Sequence, residues 1–232
     1  MGLKKVIQPD YREGVDRKQL NTVRDRFLLV NQRRLERTQQ ALPLRHQSTL
    51  DQLPLLFQVN HPLLPGYVSR DTPRGVANYT PDKQTLRDAQ RFSKTFKYKP
   101  EKRLRPDILS IFMMGSIGSI AQSEVSDIDI WLCHRPELSA DELTLIQRKA
   151  DLITEWADTA GLEIHFFLMD ANHFRDQKQG GVDKESSGSA QHYLLLDEFY
   201  RTAILLTGRY PIWWLIPPDS ESEYVELSNL LL

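Results

Sequence analysis

The stretch Gly115-Ser116-Ile117-Gly118-Ser119-Ile120-Ala121-Gln122-Ser123-Glu124-Val125-Ser126-Asp127-Ile128-Asp129-Ile130-Trp131 decides the reading of this chain. It begins with Gly-Ser directly after an apolar run, Ile108 to Met113, which predicts a buried strand. Glycine lets backbone approach phosphate oxygens with no side chain in the way. A helix starting there would turn its free N–H groups toward an anion. The stretch ends with Asp127-Ile128-Asp129, which opens a second strand, Ile128 to Cys133. Side chains alternate across a strand, so Asp127 and Asp129 share one face while Ile128, Ile130 and Leu132 face a core. Two carboxylates beside a phosphate loop suit Mg²⁺, which takes hard oxygen ligands and completes its shell with substrate phosphates. A third carboxylate from a neighbouring strand is expected, and Glu163 and Asp170 are the candidates. They bracket the strand Glu163 to Met169; Glu163 is favoured, with His165 on its face. Alternation alone does not say which end faces Asp127.

Downstream, Ser139 to Ala160 predicts a helix. Ser139 and Glu142 form a capping box, Leu143, Ile146, Ala150, Ile153 and Ala157 line one face, and Gly161 stands where a left-handed cap is wanted. Gly180 to Ser189 reads as a polar loop, and Ala190 to Thr207 as a helix closing at Gly208. Pro211 to Leu215 is a candidate last strand. Upstream, Asp16 to about Ala41 carries Leu20, Val23, Phe27 and Val30 at helical spacing, with Arg24, Arg26, Arg33, Arg34 and Arg37 on a solvated face. An apolar stretch, Leu50 to Val59, and a turn-rich loop, His61 to Tyr67, follow. Thr80-Pro81 reads as an N-cap and first helical residue, and a Lys- and Pro-rich linker runs from Lys97 to Pro106. Together these predict an α+β chain. Residues 1–100 form a helical N-terminal region, and residues 101–232 a core with a mixed sheet and flanking helices.

Composition narrows the function classes. With 40% hydrophobic and 26% charged residues, 232 residues can bury a core without staples. A net charge of −1 argues against a basic nucleic-acid binder. The single cysteine, Cys133, allows no internal disulfide, and no stretch has the length of a membrane span or a signal peptide. The expectation is a soluble cytoplasmic protein.

Other residues have plainer readings. His165 is expected to be a packed or surface histidine and Cys133 a small core residue. Arg201 could meet a phosphate or form a structural ion pair. The basic cluster Lys97, Lys99, Lys102, Arg103 and Arg105 is expected to be a solvated linker. Trp213-Trp214 suits a core or a contact with further chain.

Gly-Ser followed by Asp-x-Asp on a strand resembles the polymerase-beta-like nucleotidyltransferase superfamily. The fuller string Gly115-Ser116, Ser119, Gln122-Ser123, Ser126-Asp127, Asp129-Ile130-Trp131 and Cys133 looks like the catalytic region of the class I adenylate cyclases of bacteria. His61-Pro62-Leu63, Pro65-Gly66-Tyr67, Tyr79 to Asp82, Phe166 to Leu168 and Leu194 to Ala203 agree with it. The resemblance covers residues from about 50 to 215 and implies a nucleotidyltransferase-type sheet. It also implies a reaction: the ribose 3′-OH of ATP attacks its own α-phosphorus, giving 3′,5′-cyclic AMP and pyrophosphate. On this chain Asp127, Asp129 and Glu163 would hold Mg²⁺, or Mn²⁺ in its place, and Glu163 would help deprotonate the 3′-OH. Gly115, Ser116, Ser126 and Arg201 would bind the nucleotide. Class I cyclases are much longer, and a regulatory partner would act through their C-terminal portion. Two other readings use the same residues: nucleotide transfer to another acceptor, and nucleotide binding without turnover.

Overall fold

The computed structural model describes residues 16–101, 105–114, 127–170, 198–199 and 201–211. Contacts group the chain into two units, Met1–Arg33 with Tyr210–Leu232, and Arg34–Arg209. Helix α1 (Arg17–Ala41) spans the boundary in sequence; α2 (Leu44–Gln58) and α3 (Lys83–Phe92) follow. Next come β1 (Ile108–Met114), β2 (Ile128–His134), α4 (Ala140–Thr159), β3 (Ile164–Asp170) and β4 (Ile204–Gly208). The class is α+β, and among the described residues α1 to α3 precede a four-stranded sheet in the order β3-β2-β1-β4. β1 pairs antiparallel with β2 and β4, and β2 pairs parallel with β3, so the sheet is mixed. The parallel pair needs a crossover, and α4 supplies it.

Local chemistry explains α4. The Ser139 side chain accepts from the Glu142 N–H and the Glu142 carboxylate accepts from the Ser139 N–H, completing the capping box. Ile146, Lys149, Ala150, Ile153 and Ala157 are the buried stripe, and Gly161 ends the helix at φ 75°. That stripe and the buried α2 residues Leu50, Leu53, Leu55, Leu56 and Phe57 cover one face of the sheet. Ile111 and Met113 of β1, Ile128, Ile130 and Leu132 of β2, and Ile164 of β3 point into this core. The loop from His61 to Tyr67 closes against α4 at Gly66. There φ is 80°, and a Cβ would lie 2.5 Å from Ile153 Cγ1, so no larger residue fits. The fully buried Lys149 reaches into the same region and donates to Val59 O (2.8 Å) and Asn60 Oδ1 (2.7 Å).

Three local readings are corrected. The N-cap of α3 is Asp82 rather than Thr80, because its carboxylate reaches the Thr85 N–H at 2.7 Å. The helix expected to run to Thr207 ends by Thr202, and Ile204–Gly208 is a strand paired with β1. The apolar run Ile204-Leu205-Leu206 fits either helix or strand by spacing, and the free edge of β1 decides it. Arg34 is half-buried instead of solvated, and its guanidinium donates to the carbonyls of Thr202 and Ala203 (2.8 Å to the latter). It thus satisfies acceptors that the end of a helix leaves open. The expected loop Gly180 to Ser189 and most of the expected strand after Pro211 lie outside the described residues.

Candidate active site

The second face of the sheet carries the predicted site. Asp127 stands at the entrance of β2 and Asp129 is its second residue, on the face opposite Ile128 and Ile130. The parallel register sets Asp129 against His165 and Ile128 against Ile164, and the Ile128 N–H donates to Glu163 O at 3.0 Å. Glu163 therefore sits at the Asp127 end of the sheet. Asp170, paired with His134, lies at the opposite end. His165 stands between the carboxylates: its Nε2 donates to Glu163 Oε1 at 3.2 Å and lies 3.9 Å from Asp127 Oδ2. It is a surface histidine, with 47% of its side chain exposed.

Electrostatics mark Asp129 as the stressed group. It is half-buried, and burial raises its pKa above the ordinary carboxylate value. Repulsion from Asp127 and Glu198 adds to the rise, and His165 opposes it. Glu198 is an acidic neighbour that sequence reasoning did not single out, although the pair Asp197-Glu198 interrupts an otherwise apolar run. Among the described residues, no three His, Cys, Asp or Glu side chains group closely enough to hold a metal ion by themselves. Gly115, Ser116 and Ser126 lie outside the described residues. Arg201 is exposed, two positions beyond Phe199.

Farther along the same face the chemistry turns aromatic. Trp131 pairs across the strands with Phe112 and with Phe167. Phe199 stacks on Trp131 (centroids 5.3 Å, planes 8° apart) and meets Phe112 edge-on at 5.0 Å. These contacts leave Trp131 5% exposed. Cys133, two residues on, is half-buried on this face rather than in the main core. Burial of its thiol pushes its pKa up to about 12, so it is a poor nucleophile.

Residues 19–214 match the family described as the adenylate cyclase NT domain, across most of the chain. This chain belongs to that family. Among its relatives, the protein named adenylate cyclase from Escherichia coli (strain K12) is 39% identical over 208 residues, covering 88% of this chain and 24% of that protein. The adenylate cyclase of Proteus mirabilis is 38% identical over 215 residues, covering 91% and 25%. That of Yersinia intermedia is 36% identical over 211 residues, covering 88% and 24%. The chain spans about a quarter of the length of these curated relatives. The family match runs from residue 19, inside α1, through β4 and takes in the whole Gly-Ser to Asp-x-Asp stretch. No helix among the described residues is long and apolar enough to cross a membrane.

Proposed function

We propose that this chain is the nucleotide-binding and catalytic region of an adenylate cyclase of the nucleotidyltransferase type. In the reaction, the 3′-oxygen of ATP bonds to the α-phosphorus, pyrophosphate leaves, and the 3′-hydroxyl proton is taken up. One observation carries the reading: in a chain of this family, Asp127, Asp129 and Glu163 stand at the same end of one sheet face. The donor set fits Mg²⁺ or Mn²⁺, because every ligand is a hard carboxylate oxygen. The raised pKa of Asp129 fits too: burial and, after it, repulsion from Asp127 and Glu198 disfavour its charge, and a cation would offset both. Asp127, Asp129 and Glu163 would hold the ion. When bound, such an ion neutralises phosphate charge and makes a hydroxyl a better nucleophile.

The chain's own groups would do the rest. Gly115, Ser116, Ser126 and Arg201 would bind the triphosphate. Glu163, which is exposed and accepts a hydrogen bond from His165, would receive the 3′-hydroxyl proton. Catalysis would come from positioning and charge neutralisation, as is usual in phosphoryl transfer. On this reading the protein would work in the cytoplasm, where ATP is available, and its net charge of −1 argues against a nucleic-acid partner. A regulatory partner would act through further chain.

The test is incubation of the chain with ATP and Mg²⁺, with Asp127→Asn as the control. Cyclic AMP and pyrophosphate in the first and neither in the second are expected. A nucleotidylated acceptor in place of cyclic AMP would replace the cyclase with a transferase. Bound ATP with no product would leave a nucleotide-binding module. Failure to bind ATP at all would overturn the reading.

A further inference from the structure

Among the described residues, seven large apolar side chains are exposed, and Phe167 is the one the sheet carries. Phe167 is 46% exposed, on strand β3, at the edge of the sheet among the described residues, and on the face that holds the carboxylates. Alternation alone would put a polar residue there, as it does at His165. The parallel register orders this face in rows: Asp127 beside Glu163, Asp129 opposite His165, Trp131 opposite Phe167, Cys133 opposite Met169. Carboxylates give way to aromatic and sulfur-bearing side chains within two rows. Successive rows on one face are about 7 Å apart, the span of one ribose between an α-phosphate and its base. A nucleotide whose α-phosphate lies at the Asp129 row would bring its base to the next row, that of Trp131 and Phe167. Trp131 cannot stack with that base, because Phe199 already covers it. Phe167 is the aromatic surface left open in the row.

We infer that Phe167 is the platform on which the purine base of the nucleotide stacks. The inference rests on the nucleotide reading of the site. A phenyl ring recognises a base by its π-face and not by its hydrogen-bonding edge. Phe167 therefore favours the larger purine ring system over a pyrimidine and does not separate adenine from guanine. Stacking of a base on an aromatic side chain contributes about 1–3 kcal/mol by alanine substitution, which is about 5- to 150-fold in affinity.

The experiment is calorimetric titration of the 232-residue chain, Phe167→Ala and Phe167→Trp with ATP, CTP and inorganic tripolyphosphate, each with Mg²⁺. In Phe167→Ala, ATP binding should weaken about 5- to 150-fold, CTP binding less, and tripolyphosphate binding should not change. Phe167→Trp should retain ATP binding, with its new indole fluorescence quenched as ATP binds. Equal affinity of the unmodified chain for ATP and tripolyphosphate would overturn the inference and leave the phosphate site standing. So would an unchanged ATP affinity in Phe167→Ala, or an equal loss of ATP and tripolyphosphate there. No binding of either ligand by the unmodified chain would overturn the nucleotide reading and this inference with it.

Discussion

Replacing Lys149 with methionine should change how stability depends on pH. Lys149 is 1% exposed, with its Nζ 6.0 Å from the centre of the Phe57 ring. Burial lowers its pKa from 10.5 to about 7, and the positive charge of Arg74 acts the same way. Taken alone, that fall corresponds to about 5 kcal/mol at 1.36 kcal/mol per tenfold step. The hydrogen bonds to Val59 O and Asn60 Oδ1 favour the charged form and oppose burial. At about 1.5 kcal/mol each, they leave about 2 kcal/mol. The folded protein then releases the proton at a lower pH than the unfolded chain does. Between the two pKa values the unfolded chain holds more protons, so this group's contribution to stability grows as pH rises through the window. Lys149→Met retains the stem and loses the titration. Urea unfolding at about pH 7 and about pH 9.5 should show the parent gaining about 0.8 kcal/mol on the variant across the interval, with the rest of the roughly 2 kcal/mol appearing above the unfolded pKa. A stability difference that stays constant to within about 0.5 kcal/mol would show that Lys149 is as basic in the fold as in water, and the burial reasoning would fail.

Asp129→Asn removes a carboxylate whose pKa is raised by burial and by Asp127 and Glu198. Without divalent ions its melting temperature should rise slightly, by less than about 1 kcal/mol of stability because the group is partly solvated, and the rise induced by Mg²⁺ in the parent should vanish. Gly208→Ala should cost about 2–3 kcal/mol in urea unfolding, because φ is 112° and the new Cβ would lie 2.4 Å from Leu109 O. Asp107→Ala strips partners from the Arg74 N–H (2.8 Å) and from Arg135 Nε (2.6 Å) at the sheet end away from the carboxylates. It should cost about 3 kcal/mol and leave the ATP affinity of the folded fraction unchanged.

What the sequence disclosed was local. Helix α4 could be read because its capping box, apolar stripe and terminal Gly161 lie within one contiguous segment. The strand Ile128 to Cys133 and the shared face of Asp127 and Asp129 followed from a period of two. Choices set by distant partners stayed hidden. Ile204–Gly208 reads as the end of a helix until β1 is known to offer an edge. The preference for Glu163 over Asp170 had no warrant in alternation. Their positions follow from the register of β3 on β2, which depends on how α4 returns the chain. Glu198 and Phe199 reach Asp129 and Trp131 only through tertiary packing, so no spacing rule marks them.

The pairing of β1 with β4 also orders events during synthesis. β1, β2 and β3 lie close together in the chain, and they can associate once α4 has been made. β1 keeps one edge open until Ile204–Gly208 leaves the ribosome, since Met113 pairs with Ile204 and Ser110 with Gly208. Through that interval the growing chain presents unpaired backbone groups beside the apolar residues Phe112 and Met114. Such an edge is a template for intermolecular pairing. Closure by β4 is therefore the step at which aggregation competes with folding. Ribosome-bound chains halted before residue 204 should depend on chaperones more than those halted well beyond Gly208.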